Sequence, residues 1–183
     1  VAGTRTALVT GASKGIGRCY ALQLAELGYN VLMVSLTISD LAKTATEVAK
    51  VNNKVWVRYL CKDMATMTAA EELFAWTEQE GIKIDVLINN AGIFSFCDIL
   101  NTPIERIERI IILHDMTATK MCRIYAEDMA KRGGGYILNM SSYSIWMPYP
   151  GLSLYSASKA YLKSFSVAFS KEVREKGIYV TAI

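Results

Sequence analysis

Tyr155 and Lys159 stand four residues apart in Tyr155-Ser-Ala-Ser-Lys159, inside a stretch with helical periodicity. That spacing puts both side chains on one helix face. An ammonium beside a phenol favours the phenolate and pulls the phenol pKa down from about 10. A Tyr so placed can protonate a carbonyl oxygen or take the proton of an alcohol. Such a pair also arises by chance about once in a chain of this composition, and then reads as a core Tyr with a solvated Lys. Ser142, thirteen residues upstream at the end of an apolar run, gives the pair weight. A hydroxyl there can hydrogen-bond the same substrate oxygen and share its developing charge. Ser141, its neighbour, should point to the other side of the strand.

A second constellation lies near the start, in Thr10-Gly11-Ala-Ser13-Lys14-Gly15-Ile16-Gly17. It follows an apolar run and opens a helix. Glycines allow a tight turn and close backbone approach to a pyrophosphate, and the helix N-terminus adds free N–H groups. The spacing is G-x-x-x-G-x-G. It is neither the general G-x-G-x-x-G fingerprint nor a Walker loop, which needs a Lys-Ser/Thr pair at its last Gly. A bare glycine turn is the competing reading. An acid about twenty residues on would take a ribose 2′-hydroxyl. Here the second apolar run ends Val34-Ser35-Leu36, with no acid. Lys14 and Ser35 are therefore the candidates for a 2′-phosphate, which favours NADP over NAD. Lys14 as a solvated loop lysine is the alternative.

These residues need elements to carry them. Apolar runs at Thr6–Thr10, Val31–Leu36, Val55–Leu60, Ile84–Asn89, Tyr136–Met140 and Ile178–Ile183 read as strands. Between them lie helical patterns at Gly15–Leu27, from a Ser39 or Asp40 cap to about Val51, at Thr68–Glu80, from about Pro103 to Lys131, and at Ser153–Lys176. Strand and helix alternate without a linker or an internal repeat. That predicts an α/β fold: a Rossmann-like, doubly wound parallel sheet with helices on both faces in three α/β/α layers. The whole of 1–183 is expected to be one domain. Because the sequence stops at the sixth strand, a C-terminal segment carrying a substrate lid and a last strand is expected to be missing from it.

Composition narrows the class. Of 183 residues, 52% are hydrophobic and 20% charged, which excludes disorder, and the net charge of +3 is scattered rather than gathered into a nucleic-acid footprint. No apolar run is long enough to span a bilayer, and Val1-Ala-Gly-Thr4 does not open a signal peptide. A soluble, cytoplasmic protein is expected, although no initiator Met is present. Cys19, Cys61, Cys97 and Cys122 form no CxxC, and His114 is the only His, so no metal site is expected. The thiols read as four buried or half-buried side chains.

In order along the chain, TGxxxGxG (Thr10–Gly17), NNAG (Asn89–Gly92), Ser142 and YxxxK (Tyr155–Lys159) resemble the short-chain dehydrogenase/reductase family over essentially the whole sequence. The hydroxysteroid dehydrogenase and 3-oxoacyl reductase branch is similar in its Pro148-Tyr-Pro150 before YSASKA. The resemblance implies that Tyr155 is the general acid/base, that Ser142 positions the carbonyl and that Lys159 also binds the nicotinamide ribose. It implies that Asp63 and Met64 contact the adenine and that Asn90, Ala91 and Gly92 line the ribose side. It implies direct hydride transfer, and a homodimer or homotetramer built on the two long helices. One departure stands out. His114 occupies the place of an Asn that holds a relay water, so it is either a substitute in the proton relay or a packed core His.

The segment Ser144–Leu154 must border the site and is rich in aromatics. With Phe94, Phe96 and Cys97 it predicts a small hydrophobic carbonyl substrate, a ketone or a 3-oxoacyl thioester. Trp146 and Tyr149 packing under a loop is the bland alternative. A non-catalytic cofactor-sensing or scaffold protein of the same fold remains the rival function. An epimerase or dehydratase using bound NAD would want an acid after the second strand.

Overall fold

A computed structural model describes residues 5–147 and 149–183. Pro148 of the Pro-Tyr-Pro pattern and the first four residues of the N-terminal reading lie outside the described residues. The strands β1 (Thr6–Thr10), β2 (Asn30–Ser35), β3 (Val57–Cys61), β4 (Val86–Asn89), β5 (Gly135–Asn139) and β6 (Ile178–Ala182) form one sheet. Its order is β3-β2-β1-β4-β5-β6, with every pair parallel. The order reverses between β1 and β4, and the carboxyl ends of those strands open a crevice.

Parallel strands joined by helices lose both faces to packing, which is why β1 and β2 are apolar along nearly their full length. On one face, Leu8, Leu32, Leu87 and Ile137 meet the helices α3 (Ala69–Gln79), α5 (Ala118–Lys131) and α6 (Ser153–Val173). On the other, Ala7, Val9, Val31 and Met33 meet α1 (Gly15–Glu26) and α2 (Ile38–Val51). The two side-chain sets alternate along each strand. Among the described residues no helix is long and apolar enough to cross a membrane.

Three expectations change. The long helix from Pro103 is broken: α4 (Ile104–Ile111) passes into a π-helical stretch, Ile112–Thr117, before α5 resumes. The wider turn carries His114 and Asp115. The residue before α2 is Thr37, without a side-chain cap bond, and Asp40 instead pairs with Lys14. Of the cysteines only Cys122 is buried, its thiol pushed up to about 12 by desolvation. Cys19 is exposed on α1, Cys61 ends the edge strand β3 and Cys97 lies in a loop, so all three reach solvent.

Candidate active site at the carboxyl ends of β1, β4 and β5

The glycine loop joins β1 to α1. Gly11 and Gly15 have φ of +66° and +57°, conformations that side-chain-bearing residues resist. A Cβ at Gly11 would lie 2.8 Å from Asn90 Nδ2, and one at Gly17 would run into Gly11 O and the same amide. The reason for this crowding is that Asn90 Nδ2 donates to Thr10 O (3.0 Å) and Gly11 O (3.2 Å). The backbone N–H groups of Asn90 and Ala91 both donate to Thr10 Oγ1, at 3.1 and 3.0 Å. The segment after β4 is thus sewn to the loop after β1. Lys14 gives α1 no side-chain cap, so the first N–H groups of the helix have no side-chain partner. Helical donors without a side-chain partner among the described residues, behind a loop with no room for a Cβ at Gly11 or Gly17, fit the phosphates of a dinucleotide.

A cleft of about 150 Å³ continues from Gly11 past Ser35, Lys62, Asp63 and Arg109. Met64, Ala91 and Gly92 line it as well. Asp63 accepts from Ala65 N–H at 2.9 Å and pairs with Arg109 at 3.0 Å. Ser35 Oγ lies 2.9 Å from Ser13 Oγ, a contact the sequence reading did not foresee. Lys14 does not join them. Its side chain is 77% exposed and its ammonium is 3.3 Å from Asp40 Oδ2.

Ser142 follows the end of β5, and Tyr155 and Lys159 stand on α6, which Ser141 ties to that strand end. Ser142 Oγ accepts from Ser144 N–H (3.1 Å) and from Ser144 Oγ–H (2.9 Å). A hydroxyl has two acceptor sites and one donor, so the Ser142 proton is left for another oxygen. Ser141 turns the other way and donates to Lys159 O at 2.9 Å, tying strand to helix. Lys159 Nζ is buried, donates to Met140 O at 2.8 Å and stands 5.8 Å from the centre of the Tyr155 ring. Burial pulls its pKa down to about 8, while the Asp115 carboxylate works in the opposite direction. A Cβ at Gly92 would lie 3.1 Å from His114 Nε2 and 3.6 Å from that ammonium, so a side chain there would press on the imidazole first.

His114 is 1% exposed and wholly engaged. Nε2 accepts from Ile93 N–H at 2.9 Å, which fixes the proton on Nδ1. Nδ1 faces Ser158 Oγ at 2.8 Å, and that hydroxyl donates to Tyr155 O at 2.9 Å. Burial, with help from the Lys159 charge, drives the imidazole pKa down to about 3. The relay expected of His114 therefore finds no free nitrogen to hold a water. The side chain braces the segment after β4 against α6.

Asp115, which sequence reading passed over, has a buried Oδ1 with no hydrogen-bond partner among the described residues. Burial raises its pKa to about 6 against the pull of Lys159. Lys62 and Arg109 were likewise unmarked by spacing, and only the register of β2 and β3 and the fold of α4 bring them to the cleft. At the mouth, Phe94 meets the Tyr155 ring edge-on at 5.1 Å. Phe96 stacks on Tyr149 at 6.2 Å. Trp146 turns away under Lys163, whose ammonium is 4.0 Å from the indole, so it packs on the outside of α6 and not at Tyr155.

A sequence profile described as short chain dehydrogenase matches residues 5–183. The chain belongs to the short-chain dehydrogenase family. This short-chain dehydrogenase chain is 34% identical over 180 residues to a very-long-chain 3-oxoacyl-CoA reductase of Pyrenophora tritici-repentis, covering 97% of this chain and 53% of that one. It therefore spans about half the length of the curated relatives it matches. The bulky-bulky ketone specific alcohol dehydrogenase from Comamonas testosteroni superposes with a TM-score of 0.91 at 30% identity, over 98% of this chain and 74% of that one. A short-chain dehydrogenase from Sphingobium yanoikuyae in complex with NADPH does so with a TM-score of 0.90 at 30% identity, over 97% and 69%.

Proposed function

We propose that this short-chain dehydrogenase chain is the cofactor-binding and catalytic part of an NADP-preferring oxidoreductase. Its substrate is a hydrophobic ketone, a 3-oxoacyl thioester or the corresponding secondary alcohol. The observation that carries the reading is the buried Lys159 ammonium facing the Tyr155 ring on α6. Ser141 ties that helix to the end of β5, where Ser142 keeps its own O–H free. Nicotinamide, when bound, supplies or accepts the hydride. The protein's own part is proton chemistry: Tyr155 O–H protonates the carbonyl oxygen, Ser142 donates a second hydrogen bond to it, and Lys159 favours the phenolate left behind. In the oxidative direction the same phenolate takes the alcohol proton.

The glycine loop, Ser13, Ile16, Ser35, Asp63 and Met64 hold the adenosine and phosphate end in this reading. Phe94 on Tyr155 and the acyl or bulky ketone substrates named for two relatives support an apolar substrate. Stacked Tyr161, Phe165 and Phe169 along α6 support a homodimer or homotetramer through the α5 and α6 face. Titration of the full-length protein with NADPH and NADH, followed by cofactor fluorescence, tests the core of the proposal. Tighter NADPH binding, with turnover of a hydrophobic ketone that Tyr155→Phe abolishes, supports it. Cofactor binding without turnover of any carbonyl would favour the cofactor-sensing scaffold.

A further inference from the structure

The cofactor reading needs a cation where a 2′-phosphate would sit, beside the end of β2. Lys14 is turned out to Asp40 and does not line the cleft, Ser35 is neutral and bonded to Ser13, and Leu36 is apolar. Two cationic residues line the cleft among the described residues, Lys62 and Arg109. Each carries an ion pair, Arg109 with Asp63 and Lys62 with Glu72, so position relative to the end of β2 decides between them. Lys62 follows β3 directly. In the β2–β3 register Ser35 pairs with Cys61, and Lys62 N–H donates to Ser35 O at 2.9 Å, so Lys62 stands beside Leu36. A lysine stem spans the spacing between neighbouring strands, about 4.8 Å. The side chain is 17% exposed and its ammonium meets Glu72 at 2.5 Å.

We propose that Lys62 is the residue that selects NADP: its ammonium binds the 2′-phosphate from β3, in place of a cation after Ser35. This assignment rests on the NADP-preferring reading above. The phosphate carries more charge than a carboxylate and is a strong acceptor for a lysine point charge. Glu72 is the competitor. It is 56% exposed on the first turn of α3 and also accepts from Thr68 Oγ1, so it can release or share the ammonium without being stranded away from water. With Lys62 gone, Glu72 would face the phosphate unscreened, so the loss falls on NADPH and spares NADH.

The test is fluorescence titration of the full-length protein and its Lys62→Gln, Lys62→Arg, Glu72→Gln and Lys14→Gln variants with both cofactors. Lys62→Gln should weaken NADPH about ten-fold or more and leave NADH within about two-fold. Lys62→Arg should retain most of the preference, and Glu72→Gln should tighten NADPH by freeing the ammonium. The assignment is overturned if Lys62→Gln weakens both cofactors equally, or if the preference survives it and disappears in Lys14→Gln. Preference of the unaltered protein for NADH would instead overturn the cofactor reading itself.

Discussion

His114 and Tyr155 are linked through one hydroxyl: the imidazole Nδ1 lies 2.8 Å from Ser158 Oγ, which donates to the backbone carbonyl of Tyr155 at 2.9 Å. The other nitrogen holds Ile93 N–H, so one ring sets the distance between the segment after β4 and the start of α6. His114→Gln puts an amide oxygen near the place of Nε2, where it can accept from Ile93 N–H, and should keep activity within a few-fold. His114→Ala leaves the buried N–H unpaired and should cost about 1–3 kcal/mol in urea unfolding.

The same ring makes an acid-stability prediction. Its pKa is about 3 in the folded protein against 6.5 when unfolded, so the unfolded chain binds the extra proton between those values. Stability from this group is fully present above pH 6.5 and falls as pH drops, by about 2 kcal/mol at pH 5. Asp115, raised to about 6, works the other way in that window, so the comparison must be with a variant. The fall in Tm from pH 7 to 5 should be smaller in His114→Gln than in the unaltered protein.

Lys159 titrates near 8, pulled down by burial. Above that pH it loses the charge that favours the Tyr155 phenolate, so kcat/KM should break downward on the alkaline side near pH 8. Asp115 raises the Lys159 pKa, so its neutralisation lowers it. Asp115→Asn should move the break to lower pH in a profile of kcat/KM, at unchanged cofactor Kd.

Tyr155→Phe removes the proton donor and leaves the ring packed on Phe94. Turnover should drop by about 10²–10⁴, while NADPH affinity and Tm stay close to those of the unaltered protein. A loss of cofactor affinity equal to the loss of rate would place Tyr155 in binding instead.

Gly17→Ala puts a methyl group against Gly11 O and the Asn90 amide. Neither can withdraw, because Asn90 is bonded to Thr10 O and Gly11 O. Strain of about 1–3 kcal/mol should appear in unfolding, and cofactor binding should weaken with it. Gly15→Ala has open space and suffers only from its positive φ.

The fold could be read from the sequence because each strand is an apolar run closed by glycine or a polar residue. The bounds expected for all six strands fall within two residues of those observed. The π-helical stretch could not be read, because Ile110, Ile111, Ile112 and Leu113 form an unbroken apolar block that carries no helical phase. Ser142, Tyr155, Lys159 and the glycine loop were legible because their spacing is local. Lys62 was not, because its place beside Leu36 depends on strand register, and neither was the capture of Lys14 by Asp40, which depends on how α2 leaves β2.

The reversal of strand order divides the labour of the cleft. Ser35, Asp63 and Lys62 stand on the β1–β3 half, while Ser142, Tyr155 and Lys159 stand on the β5 and α6 half. The bonds from Asn90 and Ala91 to Thr10 and Gly11 are the seam. Each half can therefore accumulate its own substitutions: the wall around Phe94 can be recut for a different carbonyl compound while the choice of dinucleotide is inherited intact, so long as the seam is left alone.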